Sequence, residues 1–333
     1  EQFLYEIGDP QNYILPDVTC DFTNVTMKEV GNDQIFVSGA KGNPPSNTYK
    51  VSATYLMGYR ISIAVIIVGI NAAKKAKVSA EAIIKKTKRM FTDNGWSNYT
   101  DTNISIIGTE VTYGENAKTL KPREVLLRIM ATHKQKEALI LLSREIAQAS
   151  TGMTPGFTNM LGGRPSVSPS IRLFSFLLPK ENIRTTVDFN EKQFDMKNPK
   201  THSIEVEPIP TSPIVFDNQD TIDAEVPLIN LAYARSGDKG DHANIGVISR
   251  KAEYLPYIKD CLTTKKVAEY FSHVSKGEVE RWDVPGINAL NFLLRNSLGG
   301  GGMASLNVDP QGKAYAQQLL DIMIPVPHKI AEE

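Results

Sequence analysis

The chain has 333 residues, 41% of them hydrophobic and 22% charged, with 37 basic and 37 acidic side chains. That composition excludes a wholly disordered protein, and the length favours two domains over one. The even charge balance removes the electrostatic ground for a nucleic-acid partner, because such affinity rests mostly on neutralising phosphates.

Turn chemistry opens the chain. Gly8-Asp9-Pro10 is a tight-turn signal, and Pro16-Asp17 opens an alternating stretch from Val18 to Glu29. Gly31-Asn32-Asp33 then turns it into Gln34 to Ser38, so the two stretches read as a hairpin. A glycine and proline loop, Gly39 to Pro45, follows. Ile61 to Ile70 is apolar on both alternating faces, which predicts a strand buried on both sides. It is the longest apolar run and far too short to cross a bilayer, so no membrane partner is expected.

Ser79 reads as a helix N-cap. After it Ala80, Ile83, Ile84, Thr87, Met90 and Phe91 recur at helical spacing, while Lys85, Lys86, Lys88 and Arg89 fall on a solvated face. Ile104 to Tyr113 and Glu124 to Thr132 read as strands, Glu137 to Ala149 as a helix, and Ile171 to Leu177 as a last strand. The order β-α-β-β-α-β is the split βαβ, or ferredoxin-like, topology. An iron–sulfur cluster needs about four thiolates; with two cysteines in the chain, none is expected.

Pro199, Pro208, Pro210 and Pro213 sit among polar residues without a sustained period, so 181–226 reads as a linker or arm. Beyond it, Val226 to Ala234 reads as a strand, and Ile245 to Ser249 as a short apolar run. Residues 254–273 read as helical and Val279 to Val284 as a strand. Ile287, Leu290 and Leu294 mark a helix, Met303 to Val308 is extended, and Ala316, Leu319, Leu320 and Met323 mark the final helix. The expected class is α+β: two ferredoxin-like units, 1–180 and 227–327, with helices packed on mainly antiparallel sheets.

The densest polar cluster is Ala234 to Asn244. Gly237 and Gly240 would let its backbone gather amides into an anion-binding nest, with Arg235, Ser236 and Asn244 beside it. Asp238, Lys239 and Asp241 are the candidate catalytic groups there; the rival reading is a solvated turn whose aspartates cap its own backbone. Gly299, Gly300, Gly301 and Gly302 form a second candidate, either a close approach to phosphate or a flexible turn after a helix. Ser150 to Ser170 is long for a loop in a compact domain. Within it Arg164, between Gly163 and Pro165, suits a carboxylate or phosphate, or subunit packing. Lys50 beside Tyr49 is a conceivable acid–base pair, next to the loop at Lys41-Gly42-Asn43.

The two cysteines, Cys20 and Cys261, fit no CxxC pattern and read as free thiols in a reducing compartment. Three sequons begin at Asn24, Asn98 and Asn103 and read as unmodified. The five histidines, His133, His202, His242, His273 and His328, have no metal-ligand spacing, so no metal site is expected. There is no GxSxG elbow, no GxGxxG turn and no Walker ending, which disfavours a serine hydrolase or a Rossmann dehydrogenase.

The same segments carry a resemblance. Tyr5-Glu6-Ile7-Gly8-Asp9-Pro10, Ser38-Gly39-Ala40-Lys41-Gly42, Tyr49-Lys50-Val51-Ser52, Gly162-Gly163-Arg164-Pro165 and Arg172-Leu173-Phe174-Ser175-Phe176 resemble the later part of the acyclic terpene utilisation AtuA family core. Ala234 to Arg250 and Trp282 to Val308 resemble the ferredoxin-fold domain that ends many members. The resemblance implies a role in catabolism of acyclic terpenes such as citronellol or geraniol, beside acyl-CoA carboxylases. A hydratase or lyase step on a branched acyl-CoA is the activity it suggests; the rival is a non-catalytic subunit organising an acyl-CoA carboxylase-type complex. A small-molecule substrate, acyl-CoA among the candidates, a homo-oligomer, and a cytoplasmic or, in a eukaryote, mitochondrial-matrix location are the corresponding expectations. Members usually carry a further amino-terminal α/β region, so the numbered chain reads as a processed form or as part of something longer.

Overall fold

The computed structural model describes residues 2–119, 121–198 and 221–332. They fall into two compact units that do not follow chain order: residues 1–53, 175–298 and 311–333 form one, and 54–174 with 299–310 the other. Among the described residues no helix is long and apolar enough to cross a membrane.

The first unit opens with α1 (Gln2–Glu6), β1 (Tyr13–Ile14), β2 (Thr19–Asp21), β3 (Thr26–Gly31), β4 (Gln34–Ser38) and β5 (Lys41–Asn43). β1, β2 and β5 make a small antiparallel sheet, while β3 and β4 pair only with each other. Their turn places Asp33 at a φ of 56°, a left-handed value that aspartate tolerates better than most residues. Every residue of this hairpin is exposed, Ile35, Phe36 and Val37 included.

The second unit takes β6 (Thr48–Val68) from Thr54 onward, then α2 (Ala72–Asp93), β7 (Asp101–Ile107), β8 (Glu124–His133), α3 (Lys136–Gly152), β9 (Phe157–Met160) and β10 (Val167–Pro179). The strands lie in the order β10-β6-β8-β7, with β9 also on β6, and both β6–β8 and β8–β7 are antiparallel. Alternation sends Ile61, Ile63, Val65 and Ile67 of β6 to one face with Leu127, Ile129 and Ala131 of β8. There they meet Ala76, Ala80 and Ile83 of α2 and Leu139, Leu142 and Ile146 of α3. Each such isoleucine or leucine contributes about 1.5–3 kcal/mol by leaving water.

Three sequence expectations are corrected in this unit. Gly69 and Asn71 take φ values of 103° and 59°, which ends β6 and starts α2 at Ala72. Ser79 is therefore no N-cap; it is buried inside α2, with its hydroxyl bonded to that of Thr154. The strand from Ile104 stops at Ile107 rather than Tyr113, because Gly108 and Glu110 turn the chain into a short 3-10 segment, Val111–Asn116. Ser150 to Ser170 is not a single loop, since α3 runs to Gly152, β9 pairs with β6, and β10 begins at Val167.

The first unit resumes with β11 (Thr185–Phe189), β12 (Lys192–Met196), β13 (Ile222–Pro227), α4 (Leu228–Leu231), β14 (Ala232–Lys239) and β15 (His242–Ser249). It continues through α5 (Leu255–Cys261), α6 (Thr264–Tyr270), β16 (Val279–Val284), β17 (Ala289–Leu294), α7 (Tyr315–Leu319), β18 (Met323–Pro327) and α8 (His328–Ala331). Its main sheet is antiparallel in the order β14-β15-β17-β16, while β13 and β18 form a separate antiparallel pair. Ile245, Val247, Leu290, Phe292 and Leu294 pack against Ile258, Val267, Phe271, Tyr315 and Leu319 to make the core.

Part of the expected linker is structured: β11 and β12 form an exposed hairpin and β13 is a strand. Pro199, Pro208, Pro210 and Pro213, like His202, lie outside the described residues. The helix expected through Ile287, Leu290 and Leu294 is strand β17, and Met303 to Val308 forms no strand. The helical stretch 254–273 is two short helices; Thr263 caps the second by accepting a bond from the Lys266 amide at 3.1 Å.

Candidate functional site

The Ala234–Asn244 cluster folds in a way its composition did not announce. Its amides run along the β14–β15 ladder, from Ala234 opposite Val247 to Lys239 opposite His242. Only Gly240 and Asp241 form the turn, with Gly240 at a φ of 74°, which suits a two-residue hairpin opening on glycine. The residues expected to gather amides into an anion-binding nest thus lie in two paired strands and a two-residue turn.

What the cluster binds instead is the start of the chain. Asn244 donates from Nδ2 to the Leu4 carbonyl at 2.7 Å, and Asn291 from the neighbouring strand donates to those of Ile7 and Gly8 at 3.0 and 2.9 Å. Lys239 donates to the Tyr5 carbonyl at 2.9 Å and to that of Asp238 at 3.0 Å. Gly237 has no Cβ because one would lie 2.2 Å from the Tyr5 ring, and Gly246 likewise makes room for Leu4. Ser236 is buried, donating to the Gly312 carbonyl and accepting from the Ala316 amide. Arg235, Lys239 and Lys313 stand over the Tyr5 ring at 5.1, 5.3 and 4.0 Å, a cation–π arrangement. Burial beneath this strap pushes the Lys239 ammonium below its ordinary pKa, opposed by Glu6 and Asp238.

Beside the hairpin turn lies a group of titratable side chains that sequence spacing did not single out. Asp9 accepts bonds from the Gln11 and Asn12 amides at 2.9 and 3.0 Å. Burial raises its carboxyl above the usual range, with Glu280 adding to the effect and Arg295 opposing it. His242 accepts the Asn296 amide at Nδ1, 3.0 Å away, and is held below its ordinary value by burial and then by Arg295, against Asp241 and Glu280. Arg295 and Glu280 are themselves paired. Of the three candidate catalytic residues, Asp241 therefore belongs to this group, whereas Lys239 is committed to Tyr5 and Asp238 lies in the ladder.

The glycine run belongs to the second unit. Gly299, Gly300 and Gly301 take φ values of 65°, 99° and 81° in succession. Arg60 of β6 donates to the carbonyls of Met303 and Ser305, and Arg128 of β8 to that of Leu306 at 2.9 Å. Arg172 of β10 comes within 4.0 Å of where a Cβ on Gly300 would stand. Arg164 is exposed and bonded to no described residue. Tyr49 faces Lys180, at 4.9 Å, and Lys50 is exposed, so the structure does not bring Tyr49 and Lys50 together as an acid–base pair.

Two clefts of about 310 and 210 Å³ open elsewhere, one lined by Arg250 and Tyr254, the other by Lys86 and Glu145. Cys20 and Cys261 are free thiols. Among the described residues no group of His, Cys, Asp or Glu is placed to hold a metal ion.

The fold and the strapped hairpin define a mixed α+β protein ending in a ferredoxin-like domain, and residues 226–325 match the AtuA ferredoxin-like domain model. Residues 1–189 match the model of the acyclic terpene utilisation family protein AtuA, and the chain belongs to that family. No curated protein and no solved structure matches it.

Proposed function

We propose that this chain is an enzyme of acyclic terpene utilisation, or part of one, that acts on a branched acyl-CoA by a hydratase or lyase step. Family membership supports the pathway. The step rests on one observation: Asp9, with its carboxyl pushed up, and His242, with its imidazole pushed down, stand around the same Arg295–Glu280 pair. Titratable groups with shifted pKa values, held around one pair of charges, are candidates for acid–base work. In a hydration, the Asp9 carboxylate would take a proton from water as the water oxygen bonds the β-carbon, and would then return that proton to the α-carbon. Neutral His242, whose Nδ1 accepts the Asn296 amide and whose Nε2 therefore carries its hydrogen, would donate to the thioester oxygen. Asp241, beside His242, would bias the imidazole. We read both units as variants of the split βαβ arrangement, with β14 in the first unit occupying the outer position beside β15.

The test is turnover of a branched 2,3-unsaturated acyl-CoA by the full chain. Hydration that falls at least a hundredfold in Asp9→Asn and in His242→Gln supports the reading. Turnover untouched by both substitutions removes these residues from the mechanism, and a complete absence of turnover counts against the enzyme. The second reading, a non-catalytic subunit of an acyl-CoA carboxylase-type complex, draws on the exposed apolar face of the β11–β12 hairpin, formed by Val187, Phe189, Phe194 and Met196. An isolated two-stranded hairpin is marginal in water, so such a face fits a covering partner. Stoichiometric association with a purified carboxylase, lost in Phe189→Lys, would favour it.

A further inference from the structure

The second unit carries a concentration of positive charge that the acid–base reading leaves unused. Arg60 and Arg128 project from the sheet face opposite the helices, since Arg60 pairs with Thr132 and Arg128 with Ala64, out of phase with the buried odd-numbered residues of β6. The loop 299–310 sits on this face, fixed by the carbonyl bonds from the two guanidinium groups. Arg172 lies against the loop beside Gly300, and among the described residues its one polar contact is to the Met57 sulfur at 3.8 Å. None of the three forms an ion pair with a carboxylate among the described residues. Burial and the neighbouring Arg60 charge push the Arg128 guanidinium below its ordinary pKa, which marks a site whose cations lack compensation.

The backbone points the same way. Three successive glycines at positive φ orient the chain as side-chain-bearing residues rarely can. The amides of Ala304 and Ser305 are taken up by the Gly301 carbonyl, whereas those of Gly301, Gly302 and Met303 donate to no described residue. Unspent amides beside guanidinium forks are a chemistry that recognises tetrahedral oxyanions.

We propose that Arg60, Arg128 and Arg172, with the glycine run from Gly299 to Gly302, form a binding site for the phosphate group of a small molecule. The remaining donors on the three guanidinium groups surround one phosphate while Arg60 and Arg128 keep their carbonyl bonds; each fork has five N–H groups to share. Arg164, the arginine that sequence context favours, takes no part. The site stands independently of the hydration step, and the acyl-CoA reading bears only on which phosphate ester occupies it.

Isothermal titration of the full chain with inorganic phosphate, diphosphate and coenzyme A tests this without any turnover. Saturable binding of phosphate or diphosphate is expected, weakening about tenfold in Arg172→Ala and falling steeply with added salt. Arg172 holds no loop carbonyl, so its removal leaves the loop fixed, and circular dichroism of the variant shows that it is folded. Lys85→Ala, an equal loss of charge on exposed α2 surface, is expected to change nothing. Coenzyme A displacing diphosphate identifies the source as a thioester carrier; diphosphate binding without such displacement identifies another phosphate ester. The proposal falls if neither phosphate nor diphosphate binds, if acetate binds as tightly as phosphate, or if Lys85→Ala weakens binding as much as Arg172→Ala.

Discussion

The β14–β15 hairpin and the glycine run of the second unit both look, in the sequence, like anion-binding loops, and they have opposite fates. In the hairpin, Asn244, Lys239 and Ser236 all hold carbonyls, and Gly237 exists to admit a tyrosine ring. In the run, the glycines adopt left-handed values in succession, and three arginines lie against the loop without an ion pair among the described residues. Clustering of polar residues along the chain says little about whether their hydrogen-bonding capacity is free. Two-residue turns between strands leave almost none; irregular backbone laid over a sheet leaves more.

If the hairpin's role is to hold the start of the chain, breaking that strap should cost stability first. Leu4 is fully buried against β15 and β17, and Leu4→Ala should destabilise by about 3 kcal/mol in urea unfolding. A change under about 0.5 kcal/mol, the level of an ordinary surface substitution, would mean that the segment frays independently of the sheet. Asn291→Ala should cost about 2 kcal/mol, because it strips the Ile7 and Gly8 carbonyls of a buried donor. Equal stability of this variant and the wild type would show that water replaces the amide. Arg172→Ala sharpens the contrast from the other side: its stability should stay within about 0.5 kcal/mol of wild type while phosphate binding weakens.

The sequence discloses elements better than it discloses their coverings. The periodicity through Ala80, Ile83, Ile84, Thr87 and Phe91 locates α2, and the alternation in β6 locates its buried face, because each signal lies within one element. β17 misleads for a physical reason. Leu290, Phe292 and Leu294 enter the core, while Ala289 on the other face is packed with Leu4, so the strand is buried throughout and its apolar run imitates helical spacing. That second covering comes from the far end of the chain, and no local pattern could disclose it. The arginine site is hidden likewise: Arg60, Arg128 and Arg172 come from separate strands, and only sheet pairing makes them neighbours. Asp9 and His242 were both in view, one as a turn former and the other as a scattered histidine, yet it is the strap that brings them to one pair of charges.

The smallest effect expected is also the one that separates the two halves of that acid–base group. His242 is held below 6.5 in the folded protein, chiefly by burial, with Arg295 adding to it and Asp241 and Glu280 opposing. The folded state then binds fewer protons than the unfolded state just below pH 6.5, so stability declines as pH falls from 6.5 through the folded value. Asp9 is displaced the other way. Its folded value lies above 3.8, so a penalty builds as pH rises from 3.8 through that value and stays constant above it. Unfolding measured across this range should therefore show His242→Gln flattening only the fall that begins near pH 6.5. Asp9→Asn, which keeps an oxygen for the Gln11 and Asn12 amides, should alter only the more acidic limb. A single substitution that changed both limbs would show the two groups to be directly coupled, and the separate roles of proton carrier and hydrogen-bond donor would have to give way to one shared proton.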